Sequence, residues 1–552
     1  MRAGAWLLTS ILITTLAWIT QQAKAPAPAP ADPAAILSDA RSLYQKGQFD
    51  SAIARYNEVL KADPASGDAY AGIVRSYLKQ DKVQQADDTL QKALQVSPAY
   101  PDVKTAEGEL LFRQGEIPEA GKLFVEVIAA PPDPAQPNAK PNARAYLGAA
   151  RVAEASAMYA REHILITRAH AIDDSDPDIR KLWIDTLSTT DRIQSLSDYL
   201  SHPGNDDEDT QHRVRERLNF LKASIAAQAS RCQPANDVTS TKTTFLPVSL
   251  GTGALGSGIV VQINGKPSKL LLDTGSSGIL LSSKLAGSLG LKPVSEIRMG
   301  GIGDKPDAIA HVSYADQVSV GEMEFHNCAV TVMDHVPRES DGIIGADVFS
   351  QFLIELDFPN SQFRLSPLPP RPGETAAKAS LNTSHSDASE EQVANDPAGN
   401  GPHPLYEDRY LAPEMHSFVQ IFRIGHMLLV PTTVNESSSK LFLLDTGAFD
   451  NTITPEAARE TTKVHRAGRI DVRGVNGDVK KVYVAERVTV DFGHLRQELS
   501  NMVAIDMSHA SRKAGTEISG TLGMGLLNVL KIRLDYRDAL ADFQYTKKPL
   551  RR

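Results

Sequence analysis

The sequence contains two Asp-Thr-Gly tripeptides, and each one directly follows an unbroken apolar run. Asp273 comes after Leu270–Leu272, and Asp445 comes after Leu441–Leu444. Because a short apolar run that ends in turn residues is typical of a buried strand, each carboxyl group is expected at the end of a strand that enters a core. Two carboxylates held close together share one proton, since both cannot ionise cheaply. Such a pair can activate a water molecule and protonate a leaving group.

The residues around the two tripeptides repeat in the same order. A glycine-rich segment follows each tripeptide, at Met299–Asp304 in the first half and at Gly474–Asp478 in the second. An apolar segment bounded by glycines comes later, at Gly342–Gly345 and at Gly520–Gly523. One Asp-Thr-Gly tripeptide is an ordinary turn sequence, so the prediction rests on the repeated order. That order indicates two lobes built on one plan.

In this order of features the sequence resembles the retropepsin-like aspartic proteases, in two segments from about Thr241 to Leu368 and from about Ser417 to Tyr545. The resemblance implies an all-β bilobal acid-protease fold in which one chain supplies both lobes. It also implies an aspartic endopeptidase that hydrolyses a peptide or protein substrate with Asp273 and Asp445 as the catalytic pair. No metal and no other cofactor is expected.

The resemblance assigns further roles around the pair. Supporting turn residues are Thr274 and Thr446, which would bond across the lobe interface, and Gly275 and Gly447, which let the chain pass close to the carboxylates. Flap residues that would close over the substrate are Gly300, Gly301, Gly303, Gly474 and Gly477. Asp347 is interpreted as a helix cap. Two alternatives stay open: a catalytically silent, protease-like scaffold that acts through its repeats, and lobes that pair between two chains.

A helical repeat precedes the β-rich part. Three columns recur every 34 residues, which is the period of tetratricopeptide repeats: Gly47, Asp81 and Gly115; Ala52, Ala86 and Ala120; and Pro64, Pro98 and Pro132. Residues 143–200 are expected to hold a fourth, degenerate unit and a capping helix. Such an array usually presents a concave surface to peptides or proteins, so we expect a protein partner there. A spacer or dimerisation element is the alternative.

The whole chain is therefore predicted to be an α-helical tetratricopeptide-type solenoid followed by the bilobal β fold. The predicted segments are a signal peptide (1–25), a Pro/Ala linker (26–35), helical repeats (36–200), a helical connector (201–240), lobe 1 (241–368), a flexible linker (369–412) and lobe 2 (413–546).

Export is predicted from the N-terminus, where Arg2 precedes an apolar run and Ala23-Lys24-Ala25 has the form of a cleavage site. The protein is expected in the periplasm or outside the cell. An uncleaved N-terminal membrane anchor is the alternative, although the run is short for a membrane span. Cys232 and Cys328 are the two cysteines, and the sequence leaves their pairing open. The net charge of −9 gives no indication of a nucleic-acid partner.

Overall fold

The computed structural model describes residues 32–131, 140–201, 208–226, 232–251, 254–303, 305, 307–334, 336, 339–372, 409–468, 470–474 and 477–546. The predicted signal peptide and most of the two predicted linkers lie outside the described residues. Among the helices that are described, none is long and apolar enough to span a membrane.

The described residues up to 226 are helical. Their helices are α1 (Pro33–Gln45), α2 (Phe49–Ala62), α3 (Gly67–Lys79), α4 (Val83–Val96), α5 (Pro101–Arg113), α6 (Ile117–Ala129), α7 (Ala143–Ala155), α8 (Tyr159–Ile172), α9 (Pro177–Thr186), α10 (Thr189–Ser201) and α11 (Glu208–Ala226). Helices α1 to α6 form three antiparallel pairs at the predicted period, and α7 with α8 forms a fourth.

Backbone geometry explains the column of Gly47, Asp81 and Gly115. Each of these residues has a positive φ, 71°, 59° and 88° respectively, in the turn between the two helices of its pair. Glycine adopts this conformation without steric penalty, and aspartate tolerates it better than most residues. Ala157, with a φ of 57°, takes the same place in the fourth pair. Because 157 − 115 = 42 exceeds the period of 34, the fourth unit is out of register in the sequence.

The alanine column has a different cause. Ala52, Ala86 and Ala120 are fully buried on the second helix of each pair. A small side chain at this place lets the two helices of a unit approach closely, because interiors pack without space for larger groups. Both columns confirm the helical repeats.

The remaining described residues form a β-rich region. Its strands are β1 (Gln233–Pro234), β2 (Thr241–Thr244), β3 (Leu246–Gly251), β4 (Ala254–Ile263), β5 (Lys266–Asp273), β6 (Ile279–Ser282), β7 (Ser295–Met299), β8 (Ala308–Val320), β9 (Met323–Met333), β10 (Gly342–Gly345), β11 (Phe352–Asp357), β12 (Gln362–Pro367), β13 (Val419–Gln420), β14 (Phe422–Ile424), β15 (Met427–Val434), β16 (Ser439–Leu444), β17 (Thr452–Ile453), β18 (Val464–Arg466), β19 (Arg473–Gly474), β20 (Gly477–Asp478), β21 (Val482–Phe492), β22 (Leu495–Ile505), β23 (Gly520–Leu522), β24 (Leu530–Asp535) and β25 (Leu540–Tyr545). Short helices among them are α12 (Ser283–Ser288), α13 (Pro455–Arg459), α14 (Ser508–Ala514) and α15 (Met524–Leu527), with 3₁₀ turns at Ala346–Phe349 and Pro413–Met415.

Each lobe is organised around its own sheet. Strands β1, β9, β6, β10, β5, β4, β8 and β7 lie in this order in lobe 1, with β3 beside β4. Strands β14, β15, β16, β23, β17, β22, β21 and β18 lie in this order in lobe 2. A third sheet, in the order β13, β25, β24, β11, β12 and β2, takes strands from both lobes and joins them. The predicted fold class is confirmed.

The helical repeats pack directly against lobe 2. One apolar cluster contains Phe112 and Leu147 of the repeats together with Leu441 and Ile518 of lobe 2. Because all four side chains are buried, the two parts share a continuous core.

Polar contacts reinforce this joint. The Glu517 amide donates to the Arg113 carbonyl at 2.8 Å, and the Thr516 hydroxyl donates to the Phe112 carbonyl at 2.6 Å. Arg512 of α14 donates to Asp81 at 3.1 Å. The turns between the helices of the second and third pairs are therefore fixed to the segment that precedes β23.

Lobe 1 is connected to the preceding segment by a disulfide. Cys232 and Cys328 are bonded across a sequence separation of 96 residues, and β1 pairs with β9 beside the bond. This answers the question of pairing that the sequence leaves open.

Candidate active site

Asp273 and Asp445 occupy equivalent places in the two lobes. Asp273 is the last residue of β5, and β10 runs parallel to β5 with Gly345 opposite Asp273. Asp445 directly follows β16, and its amide donates to the Leu522 carbonyl of the parallel strand β23 at 3.0 Å. Each predicted apolar-glycine segment therefore lies beside the strand that carries the aspartate. Both aspartates are buried.

The two threonines lock the turns together. The amide of Thr274 donates to Oγ1 of Thr446 at 3.1 Å, and the amide of Thr446 donates to Oγ1 of Thr274 at 3.0 Å. Each hydroxyl then donates to the carbonyl before the opposite aspartate, Thr274 to Leu444 at 2.7 Å and Thr446 to Leu272 at 2.9 Å. These four bonds are the contacts that the resemblance implied. They fix the spacing of the turns that carry the aspartates.

The two glycines of the tripeptides each face the opposite carboxyl group. A Cβ atom on Gly275 would lie 2.8 Å from the carboxyl carbon of Asp445, and a Cβ atom on Gly447 would overlap the carboxyl group of Asp273. Any side chain here would push the two carboxyl groups apart. Glycine is therefore required at both positions by proximity.

The two carboxyl groups receive different hydrogen bonds. Asp273 accepts from the Gly275 amide at 2.8 Å and from the Ser276 hydroxyl at 2.6 Å. Asp445 accepts from the amides of Gly447 and Ala448, both at 2.9 Å. The lobes differ because lobe 2 has alanine where lobe 1 has Ser276. Sequence reasoning missed the role of this serine, although it directly follows the tripeptide.

Burial, followed by the charge of Asp273 and a hydrogen bond with its side chain, raises the pKa of Asp445 well above its ordinary value. The amides of Ala448 and Gly447 act in the opposite direction and are outweighed. A carboxyl with a raised pKa keeps its proton at pH values where an ordinary aspartate is ionised. This is the behaviour expected of one member of a pair that shares a proton.

Asp347 does not cap a helix, contrary to the interpretation from sequence. It is the second residue of its 3₁₀ turn, and Gly345 is the capping residue. The Asp347 carboxylate accepts from the Ser277 hydroxyl at 2.8 Å and from the Gly278 amide at 2.9 Å. The side chain thus holds the turn that follows Asp273, because the parallel pairing of β5 and β10 brings the two segments together. The sequence signal available for this role was the position of Asp347, two residues after Gly345 at the end of β10.

A histidine from lobe 2 reaches the turn of lobe 1. The Nε2 atom of His426, in the hairpin between β14 and β15, lies 3.2 Å from the Gly275 carbonyl oxygen. Nothing in the local sequence around His426 predicts this contact, because 151 residues separate the two.

The predicted flap glycines lie on two facing loops. Gly300, Gly301 and Gly303 follow β7, while Gly474 and Gly477 belong to the hairpin of β19 and β20. The flaps touch each other, because a Cβ atom on Gly474 would collide with the backbone of Ile302. Ile302, like Ala467, Val472 and Val479 of lobe 2, packs against the apolar cluster that contains Leu441 and Ile518. Positions 304, 475 and 476 lie outside the described residues.

Helix α14 of lobe 2 contacts lobe 1 beside its predicted flap. Asp307 lies 3.1 Å from Nζ of Lys513 and 3.5 Å from Nε2 of His509. The same helix carries Arg512, which binds Asp81 of the repeats. One short helix therefore contacts both the helical repeats and a flap.

Across the described ranges, no group of three or more His, Cys, Asp and Glu side chains is placed to hold a metal ion. The arrangement near Asp273 and Asp445 offers instead two adjacent carboxyl groups, one with a raised pKa.

Comparison with known families agrees with the fold. Residues 259–348 and 430–526 match the aspartyl protease family, and residues 43–110 match the tetratricopeptide repeat. The two aspartyl protease segments contain Asp273 and Asp445 respectively.

Two solved structures are similar to parts of the chain. One comes from a functional characterisation of PilF of Pseudomonas aeruginosa, with 17% identity, a TM-score of 0.24, and coverage of 35% of this chain and 86% of that chain. The other is a retropepsin-like aspartic protease from Rickettsia conorii, with 19% identity, a TM-score of 0.17, and coverage of 23% of this chain and 92% of that chain. None of the curated proteins matches the chain.

Proposed function

We propose that this chain, which combines two retropepsin-like aspartyl protease lobes with tetratricopeptide repeats, is an aspartic endopeptidase that acts through Asp273 and Asp445. The observation that carries the proposal is the pairing of two buried carboxyl groups across a lobe interface fixed by Thr274 and Thr446. The raised pKa of Asp445 supports it, because a pair that holds one proton has both an acid and a base at the same pH.

In the proposed reaction, the ionised carboxylate takes a proton from water while the water oxygen attacks the carbonyl carbon of a peptide bond. The protonated carboxyl donates its proton to the carbonyl oxygen, so that a tetrahedral diol forms. The carboxyl group that took the proton from water then gives it to the nitrogen as the carbon–nitrogen bond breaks. One hydroxyl of the diol passes its proton to the other carboxylate, so that an amine and a carboxylic acid leave and the pair again holds one proton. The protons belong to the pair as a unit, so neither aspartate is assigned one fixed role.

The test compares the wild type with Asp273→Asn and Asp445→Asn in the digestion of an unfolded protein mixture at mildly acidic to neutral pH. Loss of one acid–base group is expected to reduce cleavage by about 10²- to 10⁴-fold. Asp198→Asn on α10 is the matched control, because it removes one aspartate far from the pair. Undiminished cleavage by both variants would reject the pair and favour a silent, protease-like scaffold.

The helical repeats are proposed to recruit a protein partner or substrate. Tetratricopeptide arrays bind peptides and proteins on their inner surface, and this array is joined to lobe 2 through a shared core. A substrate bound there would be held beside the protease lobes, which raises its effective concentration at the cleft.

Export to the periplasm or the cell exterior is also proposed, with residues 1–25 as a signal peptide or as an uncleaved anchor. The Cys232–Cys328 disulfide supports this, because disulfides persist in oxidising compartments. Fractionation of cells that produce the full chain, with N-terminal sequencing, tests the proposal. Recovery from the cytoplasm with an intact N-terminus would contradict it.

A further inference from the structure

The inner face of the helical repeats carries a buried group of charged side chains. Arg75 of α3 and Arg144 of α7 each donate to Glu109 of α5 at 2.7 Å. Two guanidinium groups thus share one buried carboxylate. Asp102 of α5 accepts two longer hydrogen bonds from Arg75, both at 3.3 Å, and is itself more exposed. With Lys79, which also lies on α3, the face carries three cations against the two carboxylates of α5, and a buried cation without a partner is strongly unfavourable.

The chain itself supplies the missing negative charge. Arg144 donates to Asp176 at 2.7 Å and lies 3.4 Å from Asp178, both at the start of α9. Lys79 of α3 binds Asp178 across 99 residues of sequence. Although burial raises the pKa of Asp178, Lys79 and then Arg144 outweigh it, so the pKa lies below its ordinary value. Asp178 is therefore held in its ionised form, and the Asp176–Asp178 segment occupies this face.

The same segment reaches the first helix of the array. The side-chain amide of Gln45 donates to the Ser175 hydroxyl at 3.0 Å. The first and fourth pairs also face each other, because the Arg144 guanidinium carbon lies 5.9 Å from the centre of the Tyr44 ring. The start of α9 and the two residues before it thus contact α1, α3 and α7.

One polar group at this place is left unsatisfied. The Tyr44 hydroxyl is buried and has no hydrogen-bond partner among the described residues. Burial is the main cause that raises the pKa of Tyr44, and the charges of Asp178 and Asp176 contribute. A buried donor without an acceptor is unfavourable, because it has lost its hydrogen bonds to water. An additional carboxylate oxygen would satisfy it, and the Asp176–Asp178 segment does not supply one.

We propose that this inner groove, defined by Tyr44, Arg75, Lys79, Glu109 and Arg144, binds an acidic peptide segment, and that the Asp176–Asp178 segment occupies it as an intramolecular competitor. An Asp-x-Asp segment of a partner would replace the two carboxylates on Arg144 and Lys79 and add an acceptor for Tyr44. Arginine is well suited to such ligands, because its planar group binds carboxylates in a bidentate manner. The inference deepens the recruiting role proposed for the repeats and does not depend on Asp273 or Asp445.

Asp176 has a second role that the test must respect. Its carboxylate caps α9 by accepting from the amides of Asp178 at 2.9 Å and Ile179 at 3.3 Å. Asparagine is an equally good N-cap. Asp176→Asn with Asp178→Asn therefore removes both charges and keeps the cap.

The experiment measures binding of a fluorescein-labelled peptide that copies residues 173–179, using the full chain with Asp273→Asn so that the probe is not cleaved. Asp176→Asn/Asp178→Asn is expected to bind at least tenfold more tightly than the unaltered groove, because its competitor has lost both charges. A peptide with Asn at the positions that copy 176 and 178 is expected not to bind. Adding Lys79→Gln to the double variant is expected to weaken binding at least tenfold.

Asp87→Asn/Asp88→Asn on α4 is the matched control, since it removes two adjacent charges outside the groove and should leave the affinity unchanged. The proposal would be overturned if the double variant and its parent bound the peptide with equal affinity, or if neither bound it. The Asp176–Asp178 segment would then be a purely structural part of the array. If the double variant unfolds, Asp178→Asn alone keeps the native cap and should bind at least threefold more tightly. In the parent protein, excess peptide should also speed hydrogen exchange at the start of α9, and unchanged exchange would contradict the proposal.

Discussion

At the scale of single residues, the two aspartates have related but unequal surroundings. Asp273 accepts from one amide and the Ser276 hydroxyl, whereas Asp445 accepts from two amides. Hydrogen bonds to a carboxylate favour its ionised form, yet burial and the neighbouring Asp273 charge dominate at Asp445 and raise its pKa. The raised pKa of Asp445 thus follows from burial and from the neighbouring Asp273 side chain, which together outweigh the two backbone amides.

The raised pKa of Asp445 makes stability depend on pH. Protonated Asp445 contributes stability below the ordinary carboxyl pKa of about 3.9, and this contribution is lost as the pH rises through the raised folded value. Asparagine does not titrate. We therefore expect the free energy of unfolding of the wild type to fall, relative to that of Asp445→Asn, as the pH rises from 4 to 8. Denaturant unfolding of both proteins across this range measures the difference.

Asp198→Asn serves as the control for that comparison and should follow the wild type at every pH. Parallel curves for the wild type and Asp445→Asn would show that Asp445 does not carry the pH dependence.

At the scale of elements, the two lobes were predictable because their signals are local. An apolar run predicts a strand, and the tripeptide and glycine-rich segments that follow predict turns. Since both halves carry these signals in one order, the placement of Asp273 and Asp445 on equivalent strands could be expected. The helical pairs were predictable for the same reason, from columns at a fixed period.

The contacts of α14 could not be predicted in this way. Arg512 binds Asp81 across 431 residues, and Lys513 binds Asp307 across 206. A helix of seven residues has no local pattern that names such distant partners. The same limit applies to Asp347. Its sequence position two residues after Gly345 suggested a helix cap, whereas the parallel pairing of β5 and β10 places its carboxylate beside Ser277.

The link between α14 and the flap of lobe 1 leads to a prediction. Lys513→Ala removes the cation 3.1 Å from Asp307, so we expect faster hydrogen exchange by several-fold at residues 300–303. Global stability should change by less than about 1 kcal/mol, because partly exposed ion pairs contribute little. Hydrogen exchange followed by mass spectrometry measures the first effect, and denaturant unfolding measures the second.

Lys531→Ala is a suitable comparison, since it removes a similar ion pair with Glu355 at 2.8 Å on the sheet that joins the lobes. Exchange at residues 300–303 should be unchanged in that variant. Equal exchange in Lys513→Ala and the wild type would mean that packing of Ile302, and not the ion pair, holds the flap.

At the scale of the whole molecule, the helical repeats and lobe 2 share one hydrophobic core. Their shared apolar cluster contains Phe112, Leu147, Leu441 and Ile518, and the segment with Ile518 leads directly into β23 beside Asp445. The repeats therefore support the strand that positions one catalytic candidate. Periodicity predicted the array and the tripeptides predicted the lobes, but neither pattern indicates that they share a core.

This arrangement predicts that a chain beginning at Glu208 is less stable than the full chain. Removing the repeats exposes the faces of Leu441 and Ile518, and each buried side chain of this size contributes about 1.5–3 kcal/mol. Because several such residues become exposed together, the free energy of unfolding should fall by several kcal/mol. Denaturant unfolding measures this as a lower midpoint. Thr516→Val in the full chain is the graded comparison. It removes only the 2.6 Å bond to the Phe112 carbonyl, which still accepts from the Gly115 amide, and should destabilise by about 0.5–1.5 kcal/mol. An unchanged midpoint for the shortened chain would show that the lobes fold independently, and the repeats would then act only by binding a partner.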